Sequence, residues 1–122
     1  MSPAVGPYSP VRRVGDWVIT SGQVGLATDE AGTSAIVPGG TIAELHQVFA
    51  NVTTVLAQEG ATLADVVKTT VYLLDMGEFA AVNEVWVTYF TENRPTRSAV
   101  AVAALPIGAR IEVEAWAYVP ER

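Results

Sequence analysis

Residues 41–74 read TIAELHQVFANVTTVLAQEGATLADVVKTTVYLL, and this stretch decides the fold class. In its first half, apolar side chains recur at steps of three and four, which gives one apolar helical face. Gly60 is well placed to stop this helix. The second half, Val66 to Leu74, is rich in β-branched and aromatic residues and predicts a strand. The apolar positions of the helix are Ile42, Leu45, Phe49, Val52 and Leu56.

The residues at the two ends of this stretch predict helix caps and a second helix. Thr41 and Glu44 have capping-box spacing, so each side chain can satisfy the other's free backbone N–H. Asp75 and Glu78 offer a second capping pair. A second amphipathic helix is predicted to follow and to run to about Thr91. Its apolar positions are Phe79, Val82, Trp86 and Tyr89.

Two further strands are predicted before the first helix. Asp16 to Ser21 reads as a strand, and Val11 to Val14 is short enough to form a hairpin with it. Gly22 closes the second of these strands. The residues from Gly22 to Gly40 are rich in Gly, Thr, Ser and Asp and are interpreted as a loop.

The C-terminal strands complete the predicted fold. Ser98 to Ala103 and Ala109 to Val119 are interpreted as a hairpin that turns at Leu105 to Gly108. The order ββ-α-β-α-ββ predicts one α+β domain over residues 1–122, a mixed sheet with two helices on one face. In a chain this short, another subunit is expected to cover the other face.

Composition points away from membranes and towards an oligomer. Hydrophobic residues make up 50% of the 122 residues and charged residues only 16%, against about 25% in an average globular domain. The longest nearly apolar run, Ala99 to Ile107, contains Pro106 and is far shorter than the ~20 residues of a membrane-spanning helix. The dispersed apolar excess therefore indicates a buried interface between subunits.

Charge and residue types exclude several kinds of chemistry. A formal net charge of -6 disfavours binding to nucleic acid. The absence of cysteine excludes thiol chemistry, and His46 is the single histidine, interpreted as a solvated helix residue. We therefore expect neither a metal nor another cofactor. No secretory signal is visible at the N-terminus, so a cytoplasmic location is expected.

Arg97 is the principal candidate for binding a ligand. It opens a run of ten small or apolar residues, and a guanidinium there needs a partner. Its planar fork matches a carboxylate. Glu112 and Glu114 share one face of the final predicted strand, so the alternative is a structural ion pair between Arg97 and one of them across the predicted hairpin.

Two other residues have both a structural and a ligand-facing interpretation. Tyr8 lies in a proline-framed segment, Gly6-Pro7-Tyr8-Ser9-Pro10, and either fixes the N-terminal arm or lines a site. Asn83 follows Phe79 by one turn near the apolar face of the second helix. A buried amide there needs hydrogen-bond partners from the protein or from a ligand.

Taken together, these segments resemble the reactive-intermediate (enamine/imine) deaminase family, the RidA/YjgF-like proteins. The matching pieces follow one another in order over nearly the whole chain, and the set is far more specific than any one of them. They are Gly6-Pro7-Tyr8-Ser9, Ser21-Gly22-Gln23, Asn51, Gly60, Val66 to Lys68, Asp75-Met76, Phe79, Asn83, Phe90, Pro95, Arg97-Ser98, Leu105-Pro106 and Ile111 to Ala115.

The resemblance implies a chorismate-mutase-like fold, related to the ferredoxin-like fold. It also implies a homotrimer whose sheets form a central β-barrel, with sites in clefts between subunits. Such proteins detoxify 2-iminopropanoate and 2-iminobutanoate by hydrolysis to 2-keto acids and ammonia, without a cofactor. The alternatives are a family member specialised for an aminoacrylate-like or other pathway intermediate, a non-catalytic protein that binds small carboxylates, and the nucleic-acid role sometimes attached to the family.

The resemblance also implies roles for individual residues. It implies that Arg97 binds the substrate carboxylate and that Glu112 holds or activates the hydrolytic water. Tyr8 and Asn83 line the pocket, the backbone around Ala99 helps to hold the acid, and Ser21 lies near the cleft. Ala99 occupies a position that is often cysteine in the family, which leaves substrate preference open.

Overall fold

Ten regular elements follow one another along residues 6–120, the part of the chain that this computed structural model describes. The expectation about an N-terminal targeting signal falls partly on residues 1–5, outside that range. In chain order the elements are β1 (Val11–Val14), β2 (Trp17–Thr20), β3 (Gln23–Val24), β4 (Leu26–Thr28), β5 (Ser34–Ile36), α1 (Thr41–Ala57), β6 (Val66–Leu73), α2 (Phe79–Tyr89), β7 (Thr96–Ala101) and β8 (Ile111–Tyr118).

The principal sheet has the order β1-β2-β8-β6-β7, and β3 pairs with β8 beyond the end of β2. The neighbours β6 and β7 are parallel, whereas the other pairs of this sheet are antiparallel. The predicted mixed sheet and its N-terminal hairpin are therefore confirmed. The segment from Gly22 to Gly40 is not only loop, because it contains β3 and the separate small hairpin of β4 and β5.

The predicted C-terminal hairpin is wrong. Strand β6 lies between β7 and β8, so these two strands do not pair with each other. The physical reason is the helix α2, which connects β6 to β7 as a crossover and so makes them parallel neighbours. The strand predicted at Ser98 to Ala103 accordingly begins earlier, at Thr96, where it joins the register of β6.

The core lies between the helices and one face of the sheet. Alternate residues of β8 are buried on that face, as the period of two in a strand requires. On α1, Phe49 is almost fully buried and stacks on Tyr89 of α2 at 4.0 Å between ring centroids. The buried positions of β8 are Ile111, Val113, Ala115 and Ala117. The intervening residues of β8 face the other side of the sheet, where Trp116 and Tyr118 are exposed.

The capping box predicted for Thr41 and Glu44 is wrong, because Gly40 occupies the N-cap and no side chain caps it. Thr41 donates instead to Glu78 at 2.8 Å, and Glu44 accepts from the backbone N–H of Arg110 at 2.8 Å. The prediction for Asp75 is confirmed in part, since Asp75 caps a 3-10 turn by accepting from the backbone of Gly77.

These contacts connect three elements at the start of β8. Arg110 donates from Nε to Thr41 at 3.0 Å and forms an ion pair with Glu78 at 3.2 Å. Glu44 is nearly fully buried, so its hydrogen bond to Arg110 compensates for the loss of water. The network fixes the position of β8 against α1 immediately before Glu112.

Candidate functional site

Arg97 lies on the helix-facing side of the sheet, at its edge. It pairs with Thr69 of β6, which pairs in turn with the buried Ala115 of β8. The guanidinium carbon of Arg97 lies 5.1 Å from the ring centroid of Phe79 and 4.9 Å from that of Trp86, within the range of cation–π attraction. Burial lowers the pKa of Arg97 below its ordinary value, but an arginine stays charged in proteins.

No hydrogen bond or ion pair joins the Arg97 side chain to another residue in the part of the chain that the structure describes. The guanidinium lines a pocket of about 440 Å³ together with Asn83, Trp86, Val87, Arg94 and Pro95. The Oδ1 atom of Asn83 is buried without a hydrogen-bond partner among the described residues. This pocket therefore presents an unpaired cation and an unsatisfied amide, and aromatic rings of α2 pack against the cation.

Glu112 lies in a second pocket, of about 310 Å³, together with Tyr8, Ser21, Gly22 and Pro106. The segment that carries Tyr8 is fixed there by two hydrogen bonds from Ser21. Its hydroxyl donates to the carbonyl of Ser9 at 2.6 Å, and its backbone N–H donates to that of Pro10 at 2.9 Å. Three of the predicted site residues, Tyr8, Ser21 and Glu112, are thus brought together.

Gly22 makes room for the Glu112 carboxylate. A Cβ atom at position 22 would lie 2.5 Å from Oε2 and 2.7 Å from Cδ of Glu112, so the carboxylate would have to move away from its present position. Local patterns predict only that Gly22 closes a strand. Its close approach to Glu112 depends on the pairing of β3 with β8, which no local pattern reveals.

The pKa of Glu112 is raised, first by burial of its carboxyl group and then by the negative charge of Glu114. Glu114 accepts a hydrogen bond from the hydroxyl of Tyr72 at 2.9 Å. That hydrogen bond is also the main reason that the pKa of Tyr72 is raised. A carboxylate with a raised pKa is a stronger base than an ordinary glutamate, which suits proton transfer from water.

The two pockets lie on opposite sides of one sheet. Arg97 shares a face with Thr69, whereas Glu112 pairs with Tyr72, three residues further along β6. Side chains three residues apart on a strand point to opposite faces. The interpretation of Arg97 as an ion-pair partner of Glu112 or Glu114 is therefore wrong within one chain. The predicted site residues fall into two separate half-sites, one with Arg97 and Asn83 and one with Tyr8, Ser21 and Glu112. Ala99 lines neither pocket; it lies on β7 two residues after Arg97 and packs against the core.

Some residues of the two half-sites were not predicted as functional. Phe79 and Trp86 were interpreted only as core residues of α2, but they also support Arg97. Their spacing of seven on one helical face would place both under a nearby cation. His46 lies outside both pockets, is exposed, and contacts the hydroxyl of Tyr89 through Nδ1 at 2.6 Å. Among the residues described, no group of three or more His, Cys, Asp and Glu side chains is arranged to hold a metal ion.

Comparison with known proteins assigns the chain to a family. A family model described as Endoribonuclease L-PSP matches residues 1–119. The chain belongs to this family. No helix within residues 6–120 of this Endoribonuclease L-PSP family member has the length and apolarity needed to cross a membrane.

Relatives in the Endoribonuclease L-PSP family extend the comparison to named enzymes and solved structures. The chain is 45% identical over 114 residues to the mouse 2-iminobutanoate/2-iminopropanoate deaminase, covering 93% of this chain and 82% of the relative. It is 42% identical to RidA of an Antarctic Psychrobacter, with a TM-score of 0.86 and coverage of 96% and 92%. It is 34% identical to E. coli TdcF with bound serine, with a TM-score of 0.83 and coverage of 94% and 90%.

The raised pKa of Glu112 gives a direct test of this half-site. We predict that Glu114→Gln lowers the pKa of Glu112, because it removes the nearby negative charge but leaves the burial that contributes most. A carboxyl-carbon NMR titration of Glu112 measures this shift. Glu84→Gln, which removes an exposed charge on α2, is the matched control and is expected to leave the titration unchanged. An unchanged or higher pKa in Glu114→Gln would show that the two carboxylates do not interact.

Proposed function

We propose that this protein hydrolyses reactive 2-imino acids, such as 2-iminobutanoate and 2-iminopropanoate, to 2-keto acids and ammonia. The observation that carries this proposal is the guanidinium of Arg97, half-buried over two aromatic rings and without a described protein partner. A carboxylate is the natural partner of such a planar fork. The names of the mouse relative and of others at about the same identity supply the reaction.

Substrate binding begins at Arg97 in this proposal. The fork holds the substrate carboxylate, and Asn83 lines the same pocket. β7 is an edge strand, so part of its backbone faces away from β6 and the N–H groups around Ala99 are available to the bound acid. Serine in the structure of E. coli TdcF, itself an amino acid, is consistent with a site for a small carboxylate.

The chemical step needs a water and a base. The protonated imine carbon is already electrophilic, so the water oxygen forms a bond to it while Glu112 takes a proton from that water. The π electrons of the imine move to its nitrogen, and the same carboxyl group returns the proton to that nitrogen. The hydroxyl group of the tetrahedral intermediate then loses its proton to the Glu112 carboxylate as the C–N bond breaks. The products are the 2-keto acid and ammonia, which takes up that proton and leaves as ammonium. A positioned base contributes about 10²- to 10⁴-fold to such a step. Tyr8 and Ser21 border the space in which the water would lie.

The proposed site is completed by a second copy of the chain. Because Arg97 and Glu112 occupy opposite faces of their own sheet, one chain supplies the carboxylate clamp and a neighbour supplies the base. We infer a homotrimer in which the polar sheet faces enclose a central β-barrel. The exposed aromatic residues Trp17, Trp116 and Tyr118 on that face favour burial against other subunits.

The family description names an endoribonuclease, but the charge and the site favour the imine substrate. The formal net charge of -6 opposes binding to a phosphate backbone. The single histidine, His46, lies outside both pockets and so offers neither of them the usual acid–base group for cleavage of RNA. Small imino acids need a guanidinium for their carboxylate and a carboxylate as base, and the half-sites supply both.

Arg97 gives the first activity prediction. We expect Arg97→Ala to lower kcat/KM for 2-iminobutanoate about 100-fold, because the charge-assisted hydrogen bonds to the substrate are lost. The kcat/KM of Arg97→Lys is expected to lie between those of the wild type and Arg97→Ala, since lysine keeps the charge but lacks the planar guanidinium. The imine is generated in situ, and keto-acid formation is measured in competition with trapping by semicarbazide. Full acceleration by Arg97→Ala, or none by the wild type, would refute the proposed function.

Gly22 gives a second prediction that separates chemistry from binding. A methyl group at this position displaces the Glu112 carboxylate, so Gly22→Ala is expected to lower kcat about tenfold or more. KM should change little, because the Arg97 clamp lies in the other pocket. The measurement is steady-state kinetics together with the thermal unfolding midpoint, which shows whether the variant is folded. An unchanged kcat in a folded Gly22→Ala protein would mean that the position of Glu112 does not matter.

A further inference from the structure

A second arginine lines the pocket of Arg97. Arg94 contributes to the wall of the 440 Å³ cavity, and no carboxylate is among the residues that line it. Arg94, which is exposed, and Arg97 therefore both line one cavity in a chain whose formal net charge is -6. One carboxylate on the ligand needs only one of them, so the second arginine requires its own explanation.

One hydrogen bond holds Arg94 in place. Arg94 follows Asn93, which has a φ of 49°, in the left-handed region that few residues other than glycine adopt. The Nε atom of Arg94 donates to the carbonyl of Phe90, the C-cap of α2, at 2.8 Å. This contact restrains the side chain before any ligand binds, which lowers the entropic cost of binding.

The remaining N–H groups of Arg94 are available. Within residues 6–120, no carboxylate lies within ion-pairing distance of Arg94, and its one hydrogen bond uses Nε alone. Two other arginines of the chain, by contrast, are engaged by the protein. Arg110 forms an ion pair with Glu78, and Arg13 donates to the backbone carbonyls of Gly15, Glu59 and Val119.

We infer that Arg94 is a specificity-determining residue, which binds a second carboxylate on the side chain of the substrate. This inference rests on the proposed function and refines it. The preferred substrates are then 2-imino acids derived from dicarboxylic amino acids, with Arg97 on the carboxylate next to the imine and Arg94 on the distant one. A dianion neutralises both guanidinium groups of the pocket, whereas an alkyl imino acid leaves one of them without a partner.

The experiment compares two imines of different charge. 2-Iminoglutarate and 2-iminobutanoate are generated in situ by amino-acid oxidases in the presence of catalase, and kcat/KM is measured for each by competition with semicarbazide. The wild type is expected to favour 2-iminoglutarate. Arg94→Gln keeps a donor for the carbonyl of Phe90. It is expected to lower the ratio of kcat/KM for 2-iminoglutarate to kcat/KM for 2-iminobutanoate about tenfold. Arg12→Gln removes an exposed charge outside the pocket and should leave the ratio unchanged.

A binding measurement keeps this inference separate from the proposed function. Calorimetric titration with the stable products 2-oxoglutarate and 2-oxobutanoate requires no catalysis. If neither imine is hydrolysed, the proposed function fails, but tighter binding of 2-oxoglutarate that Arg94→Gln removes would still support the role of Arg94. A ratio that is the same in the wild type and in Arg94→Gln would overturn the inference. Tighter binding of 2-oxobutanoate than of 2-oxoglutarate by the wild type would also overturn it.

Discussion

The alternation of side chains across the central sheet is the constraint on which the site depends. Arg97 and Glu112 both lie on strands of that sheet, yet the register of β6 with β7 and β8 directs them to opposite faces. A strand cannot turn a side chain to the other face without shifting its whole register and exposing the core. Arg97 and Glu112 therefore belong to different pockets of one chain, and in the proposed function a second chain brings the carboxylate clamp and the base together.

Each half-site is supported by a different kind of packing. The Arg97 half rests on α2, where Phe79 and Trp86 provide ring faces for the guanidinium. The Glu112 half rests on close backbone approach at Gly22 and on the network of Arg110 with Glu44 and Glu78, which positions the start of β8. Catalysis depends on such preorganisation, because a displacement of about 1 Å can cost two orders of magnitude in rate.

Local patterns predicted the elements of this fold but not their long-range partners. The apolar stripe of α1, the strand at Val66 and the hairpin of β1 and β2 follow from periodicity, and the structure contains all three. The pairing of β7 with β6 instead of β8 depends on the α2 crossover, and sequence spacing does not reveal it. Arg97 was found because an isolated charge in an apolar run is conspicuous. Gly22 and Arg94 act only through neighbours brought close by the fold.

Complementation between two inactive variants tests the composite site most directly. Arg97→Ala and Glu112→Gln chains are refolded together in equal amounts, and imine hydrolysis is compared with that of each variant alone. If neighbouring chains share each site, about one quarter of all sites in the randomly mixed trimer population combine an intact Arg97 with an intact Glu112. The account therefore predicts activity of about a quarter of the wild type. Mixed protein no more active than its parents would contradict it.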